Sequence, residues 1–123
     1  MIRRLLADAD LNSAIMLGVV RHSPEIDFRR AEDVPLEGLA DEQVLAAASG
    51  DERVLVSHDV RTMPTHLRRF LVANRSPGVI IVPQTVSIGS AIEHLLLICH
   101  AFEPQELENR ICLVPSMVVY GFQ

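Results

Sequence analysis

The chain of 123 residues is 49% hydrophobic but only 4% aromatic, which indicates a single domain, residues 1–123, built around an aliphatic core. Its formal net charge of −5 at pH 7 excludes a surface that is basic all over and binds nucleic acid through charge alone. All 11 basic residues are arginines, so mechanisms that need a lysine ammonium are excluded as well.

The first half of the chain alternates between short apolar runs and helically spaced segments. Its predicted elements are, in order, a strand at residues 3–7, a helix from about 11 to 22, a strand at 26–30, a loop through Pro35 and Gly38, and a helix at 41–49. The first helix is predicted because Leu11, Ile15 and Val19 recur at four-residue spacing. Gly50 follows the second helix, and glycine commonly stands where a helix ends.

The second half continues the same alternation. Its predicted elements are a strand at 53–57, a helix at 64–74, a strand at 79–82, a helix at 87–102 and a last strand at 111–119. One face of the 87–102 helix is expected to carry Ile88, Ile92, Leu95, Cys99 and Phe102. Pro115 interrupts the last strand and predicts that it is bent or lies at an edge.

Strands that alternate with helices predict a mainly parallel sheet covered by helices on both faces, a three-layer α/β/α sandwich. Ligands of such sheets bind beyond the carboxyl ends of the strands, where the strand order reverses. Polar side chains suited to a site collect at that edge: Asp8, Asp10, Asp41, Glu42, Ser57 and Asp59. If the first and third strands are neighbours, Asp8 and Asp59 face each other there.

Several carboxylates at one edge favour metal-assisted cleavage of a phosphodiester. Hard divalent cations, Mg²⁺ or Mn²⁺, take oxygen ligands and relieve the repulsion between close carboxylates. A bound metal would also activate a water and stabilise the departing oxygen. Arginines that could hold a phosphate lie in a stretch without acidic residues after Asp59: Arg61, Arg68, Arg69 and Arg75.

Each of these residues also has a purely structural interpretation. Asp10 or Asn12 could cap the first helix, and Asp41 could cap the second with Glu42 near its positive end. Asp59 could be a turn residue that accepts hydrogen bonds from its own backbone. The arginines could form a solvated face. For His58 a structural role is expected, and the other four histidines, His66 among them, show no ligand spacing.

Four motifs in order resemble the small PIN-like domains related to toxin ribonucleases of bacterial toxin–antitoxin pairs. They are the segments at 5–12, 36–45, 53–59 and 77–83, reading LLADADLN, LEGLADEQVL, RVLVSHD and PGVIIVP. The resemblance implies a PIN-type sandwich, dependence on Mg²⁺ or Mn²⁺, and single-stranded RNA as substrate. Asp8, Asp41 or Glu42, and Asp59 match the family's acidic positions, and Ser57 stands where the family often has Ser or Thr.

The chain departs from this pattern at Arg61, where relatives commonly carry a further Asp. This departure favours an alternative function, a catalytically inactive module that binds a protein partner such as an antitoxin. Two enzyme classes are disfavoured, because phosphatases of the haloacid-dehalogenase type and response-regulator receivers share the acidic pattern after the first strand but need a lysine.

Cys99 and Cys112 are too few and too isolated for a disulfide framework, which predicts buried thiols and a reducing, cytoplasmic setting. The charged N-terminal segment and the short apolar stretches predict neither a signal peptide nor a membrane span. The many aliphatic positions of the 87–102 helix, or the bent last strand, predict a homodimer interface.

Overall fold

A computed structural model describes residues 1–30 and 41–122 of the chain. Its elements are β1 (Arg4–Ala7), α1 (Ser13–His22), β2 (Asp27–Arg30), α2 (Asp41–Gly50), β3 (Val54–Ser57), α3 (Met63–Phe70), β4 (Val79–Ile81), α4 (Ile88–Ala101), α5 (Pro104–Leu107), β5 (Arg110–Leu113) and β6 (Val118–Gly121). The predicted loop through Pro35 and Gly38 lies outside the described residues.

The strands form one sheet in the order β2-β1-β3-β4-β5-β6. All neighbouring pairs are parallel except β5 and β6, which are antiparallel. This confirms the predicted mainly parallel sheet, with β1 inside it and β3 beside β1. The chain moves from β1 to β2 on one side and then to β3 on the other, so the strand order reverses between β1 and β3.

Helices cover both faces of the sheet, which makes the molecule a three-layer α/β/α sandwich. Leu5, Val54 and Val56 face the layer of α1 and α4, in one buried cluster. Leu6 and Leu55, which alternate with them along the strands, face α2 and α3 in a second cluster. Because side chains alternate along a strand, the residues that follow β1 and β3 also point alternately to the two faces of the sheet. This alternation decides which of them can meet in the candidate site.

Two predictions for the C-terminal third are wrong in detail. The last strand is a hairpin rather than one strand: β5 ends at Leu113 and a turn containing the cis Val114–Pro115 bond leads to β6, which lies at an edge of the sheet as the alternative prediction had it. Pro115 has no backbone N–H to donate to a neighbouring strand, which is consistent with the break between β5 and β6. Ile88 does not share the buried face of α4, since 42% of it is exposed, and the short helix α5 was not predicted.

The thiols of Cys99 and Cys112 are buried and unpaired, as predicted. Burial raises the pKa of Cys99 to about 12 and that of Cys112 to about 11, so both remain protonated at neutral pH. Of the helices in the described parts of the chain, none combines the length and the hydropathy of a membrane span. The homodimer stays a prediction.

Candidate functional site

The carboxyl ends of β1 and β3 carry the candidate site. The ladder between the two strands continues one residue beyond β1, because the Asp8 amide donates to the Val56 carbonyl at 3.0 Å. Asp8 and Ser57 follow Leu6 and Leu55 at two-residue spacing, so both point toward the layer of α2 and α3. The two-residue alternation of side chains along neighbouring strands therefore brings the side chains of Asp8 and Ser57 together.

The Ser57 hydroxyl connects the two predicted aspartates. It donates to Asp8 Oδ2 at 2.8 Å and accepts a hydrogen bond of 3.0 Å from the backbone N–H of Asp59. Ser57 is only 1% exposed, so both partners satisfy a buried hydroxyl. The second Asp8 oxygen accepts from the backbone N–H of Ala9 at 2.9 Å.

Asp59 also has the predicted structural role, because its carboxylate organises the turn before α3. Its Oδ1 accepts the backbone N–H groups of Arg61 at 3.1 Å and Thr62 at 2.9 Å, and its Oδ2 accepts the Thr62 hydroxyl. Burial raises the pKa of Asp59, but these hydrogen bonds favour the charged form and leave the pKa below its ordinary value. Asp59 is therefore an ionised carboxylate at neutral pH.

Asp41 and Glu42 open α2 and meet a histidine that the sequence did not single out. His66 of α3 places Nε2 2.8 Å from Asp41 Oδ2 and Nδ1 3.1 Å from Glu42 Oε1. The imidazole must carry both protons to donate to both carboxylates, or else a protonated Asp41 donates to Nε2. His66 thus ties the start of α2 to α3 through both of its ring nitrogens.

The charges at this edge act on one another. Burial raises the pKa of Asp41, His66 opposes that rise, and the charges of Asp8, Asp59 and Glu42 add to it, so the pKa lies above its ordinary value. The hydrogen bond from His66 lowers the pKa of the partly exposed Glu42. The charges of Asp8 and Asp59 therefore reach Asp41 electrostatically.

Arg30, at the end of β2, is a second residue that sequence analysis missed. Its Nη1 donates to the carbonyl oxygens of Asp8 at 2.7 Å and Ala9 at 2.9 Å, and its Nη2 donates to that of Leu11 at 2.6 Å. One guanidinium thus holds the loop that carries Asp8 and Asp10. Arg30 aligns with Ala7 across β1 and β2, and only this register brings it to the loop.

His58 and Asn12 have structural partners. The backbone N–H of Asn12 donates to His58 Nε2 at 3.2 Å, so this nitrogen is unprotonated and Nδ1 donates to the Val82 carbonyl at 2.8 Å. With both nitrogens engaged, His58 is not placed as a general base. Asn12, rather than Asp10, caps α1, because its Oδ1 accepts the Ala14 amide at 2.9 Å.

A cavity of about 370 Å³ opens above this edge. Its lining includes Asp8, Asp10, Ser57, His58, Asp59 and Arg61. Of the predicted arginines, only Arg61 lines this cavity, whereas Arg68 and Arg69 are exposed on α3. The placement of Arg75 beside the site is wrong: it pairs with Glu52 and Glu108 and lines a different cavity, at the amino ends of the strands.

The carboxylate oxygens are the kind of donor that Mg²⁺ or Mn²⁺ prefers. Yet within residues 1–30 and 41–122 no three Asp, Glu, His or Cys side chains form a group that could hold a metal ion. Asp8, Asp41 and Asp59 each point an oxygen at a protein donor instead. The residues fit a divalent cation in chemistry, with one or two direct carboxylates and water completing its shell, rather than as a complete cage.

Comparisons of the chain with family models, with curated proteins and with solved structures gave no match. The resemblance to PIN-like domains therefore rests on the four sequence motifs alone. The three-layer sandwich, in contrast, rests on the structure itself.

Proposed function

We propose that the chain is a PIN-like endoribonuclease that uses Mg²⁺ or Mn²⁺ to hydrolyse phosphodiesters of single-stranded RNA with weak activity. The observation that carries the proposal is that the Ser57 hydroxyl bonds both the Asp8 carboxylate and the backbone N–H of Asp59, at the point where the strand order reverses. Ligand sites of parallel sheets form at this point, and carboxylates gathered there favour a cation.

In this proposal one or two of the carboxylates of Asp8, Asp41 and Asp59 would bind the metal directly, and the others, with Asp10 and Glu42, would bind its water shell. The cation, when bound, lowers the pKa of a water and stabilises charge on the leaving oxygen. Ser57 orients the Asp8 carboxylate by donating to it, and Arg61 at the cavity wall binds the phosphate. Arg68 and Arg69, exposed on α3, contact the RNA farther along its backbone.

The test is cleavage of single-stranded RNA with added Mn²⁺ and with chelator. Asp8→Asn and Asp59→Asn keep the shape of the side chain but remove its charge and replace one accepting oxygen with an NH₂ donor. We expect each to lower the rate at least about 100-fold, as for other catalytic groups. Glu93→Gln is the matched control, because Glu93 is an exposed carboxylate on α4 and does not line the cavity. If the Asn variants cut as fast as the control, the carboxylates are not catalytic.

A second candidate is an inactive PIN-like module that acts by binding a protein partner, such as the antitoxin of a toxin–antitoxin pair. Two observations favour it: Arg61 lines the cavity, and Asp8 and Asp59 have protein donors in place of a metal. Titration with Mn²⁺ separates the two functions. Saturable binding that Asp8→Asn abolishes supports the nuclease, whereas no binding together with no cleavage supports the module.

A further inference from the structure

A second cavity, of about 300 Å³, adjoins the acidic one. Asp10, His58 and Gln84 line both cavities, so the two are continuous through these side chains. The remaining wall of the second cavity combines the polar side chain of Asn12 with the aliphatic side chains of Ile15, Val86 and Ile88. A ligand that extends from the first cavity into the second therefore meets polar and aliphatic groups together.

The polar groups of this second cavity suit a flat ligand with a polar edge. Gln84, in the turn between β4 and α4, is exposed and offers both an amide N–H and a carbonyl oxygen. The His58 ring is fixed in orientation, because its two nitrogens are bonded to the Asn12 amide and the Val82 carbonyl. A ring held by its edge atoms presents its faces, and these can stack with another ring.

We propose that this second cavity, the Ile88 cavity, is a subsite for one nucleobase of the RNA, next to the phosphate that is cut. The inference rests on the proposed function, which places a phosphodiester in the acidic cavity. A base has apolar faces for Val86 and Ile88, and a polar edge for the Gln84 amide. The volume lies at the small end of ligand pockets, which suits a single base.

Uncharged nucleosides test the subsite, because they need neither the metal nor cleavage. Adenosine, guanosine, cytidine and uridine are titrated into the parent protein with ribose as the control, and the backbone amide signals are followed by NMR. We expect at least one nucleoside to bind saturably and to shift the signals of Gln84 and Ile88, whereas ribose leaves them unchanged.

The variants Ile88→Ala and Gln84→Ala should each weaken that binding about five- to tenfold, through lost apolar contact and lost hydrogen bonding. The matched control is Leu97→Ala, since Leu97 is a 55% exposed leucine on the same helix as Ile88. We expect the control to bind nucleosides like the parent.

The outcomes separate this proposal from the nuclease itself. Cleavage of RNA without nucleoside shifts at Gln84 and Ile88 would overturn the subsite and leave the nuclease intact. Nucleoside binding at these residues without cleavage would uphold the base site and contradict the nuclease. Equal affinities of Ile88→Ala and Leu97→Ala would place the nucleoside elsewhere and overturn the subsite as well.

Discussion

The two ends of the parallel sheet handle charge in opposite ways. At the amino ends of the strands, the guanidinium of Arg53 is 1% exposed and pairs with both Asp27 and Asp51. It also donates to the carbonyl oxygens of Leu5 at 3.3 Å and Asp27 at 2.9 Å. At the carboxyl ends, the charges of Asp8 and Asp59 act on Asp41, and the side chain that contacts Asp41 is His66.

This difference shows in the direction of the pKa shifts. A hydrogen bond from Arg53 holds the pKa of Asp27 below its ordinary value, and the same donor lowers that of Asp51. Burial raises the pKa of Asp41, and the neighbouring carboxylates add to that rise. Charge thus stabilises the fold at the amino end, whereas at the carboxyl end it stabilises Asp59 and Glu42 but opposes Asp41. Groups that a fold holds at a cost are candidates for function, and this favours the carboxyl end as the site.

The largest expected effect on stability comes from removing the buried cation. Arg53→Met keeps much of the side-chain volume but removes the donor that Arg53 gives to two carbonyl oxygens and two carboxylates, of which the carboxylates retain Arg4 and Arg29 as partners. We expect the free energy of unfolding, measured in urea, to fall by about 3 kcal/mol. The control Arg4→Met removes a 46% exposed partner of Asp51 and should cost less than about 1 kcal/mol. Equal losses in both variants would contradict the contrast between buried and exposed pairs.

A smaller effect is expected from Arg30, which organises the loop at the carboxyl end. Arg30→Met removes three donors from the carbonyl oxygens of Asp8, Ala9 and Leu11, which water can partly replace, so we expect a loss of about 1–2 kcal/mol in urea unfolding. Because the loop carries Asp8, the variant should also need more Mn²⁺ for half-maximal RNA cleavage. Arg29→Met, on the same strand with an exposed side chain, should change neither quantity. An unchanged Mn²⁺ requirement in Arg30→Met would restrict Arg30 to a structural role.

The parts of the molecule that follow local patterns could be predicted from sequence. Two buried strands, each followed by an aspartate, predict the positions of Asp8 and Asp59, because parallel strands end at one edge. Arg30 and His66 could not be recognised in this way. Arg30 reaches a loop about twenty residues away only because β2 lies beside β1, and His66 meets α2 only because α2 and α3 pack together. Such contacts depend on tertiary arrangement, which no spacing along the chain encodes.

The smallest expected effect concerns pH: Asp27 at one end of the sheet and Asp41 at the other should contribute to the free energy of unfolding with opposite signs. The lowered pKa of Asp27 stabilises the native state above the ordinary value of 3.8, and this contribution is lost as pH falls through the lower, native pKa. The raised pKa of Asp41 has the opposite consequence: its penalty is absent below 3.8 and develops as pH rises through the higher, native pKa.

We therefore expect Asp27→Asn to be less stable than the parent at neutral pH and to approach the parent in acid. Asp41→Asn should be as stable as the parent in acid and become more stable than the parent as pH rises. Both side chains are more than one-third exposed, 39% and 35%, so solvent screening keeps each difference within about 1 kcal/mol. Urea unfolding of the three proteins across a pH series measures both differences. If the stabilities of the two Asn variants deviate from that of the parent in the same direction at neutral pH, the carboxylates at the two ends of the sheet are not electrostatically distinct. The raised pKa of Asp41 would then no longer support a cation site at the carboxyl end.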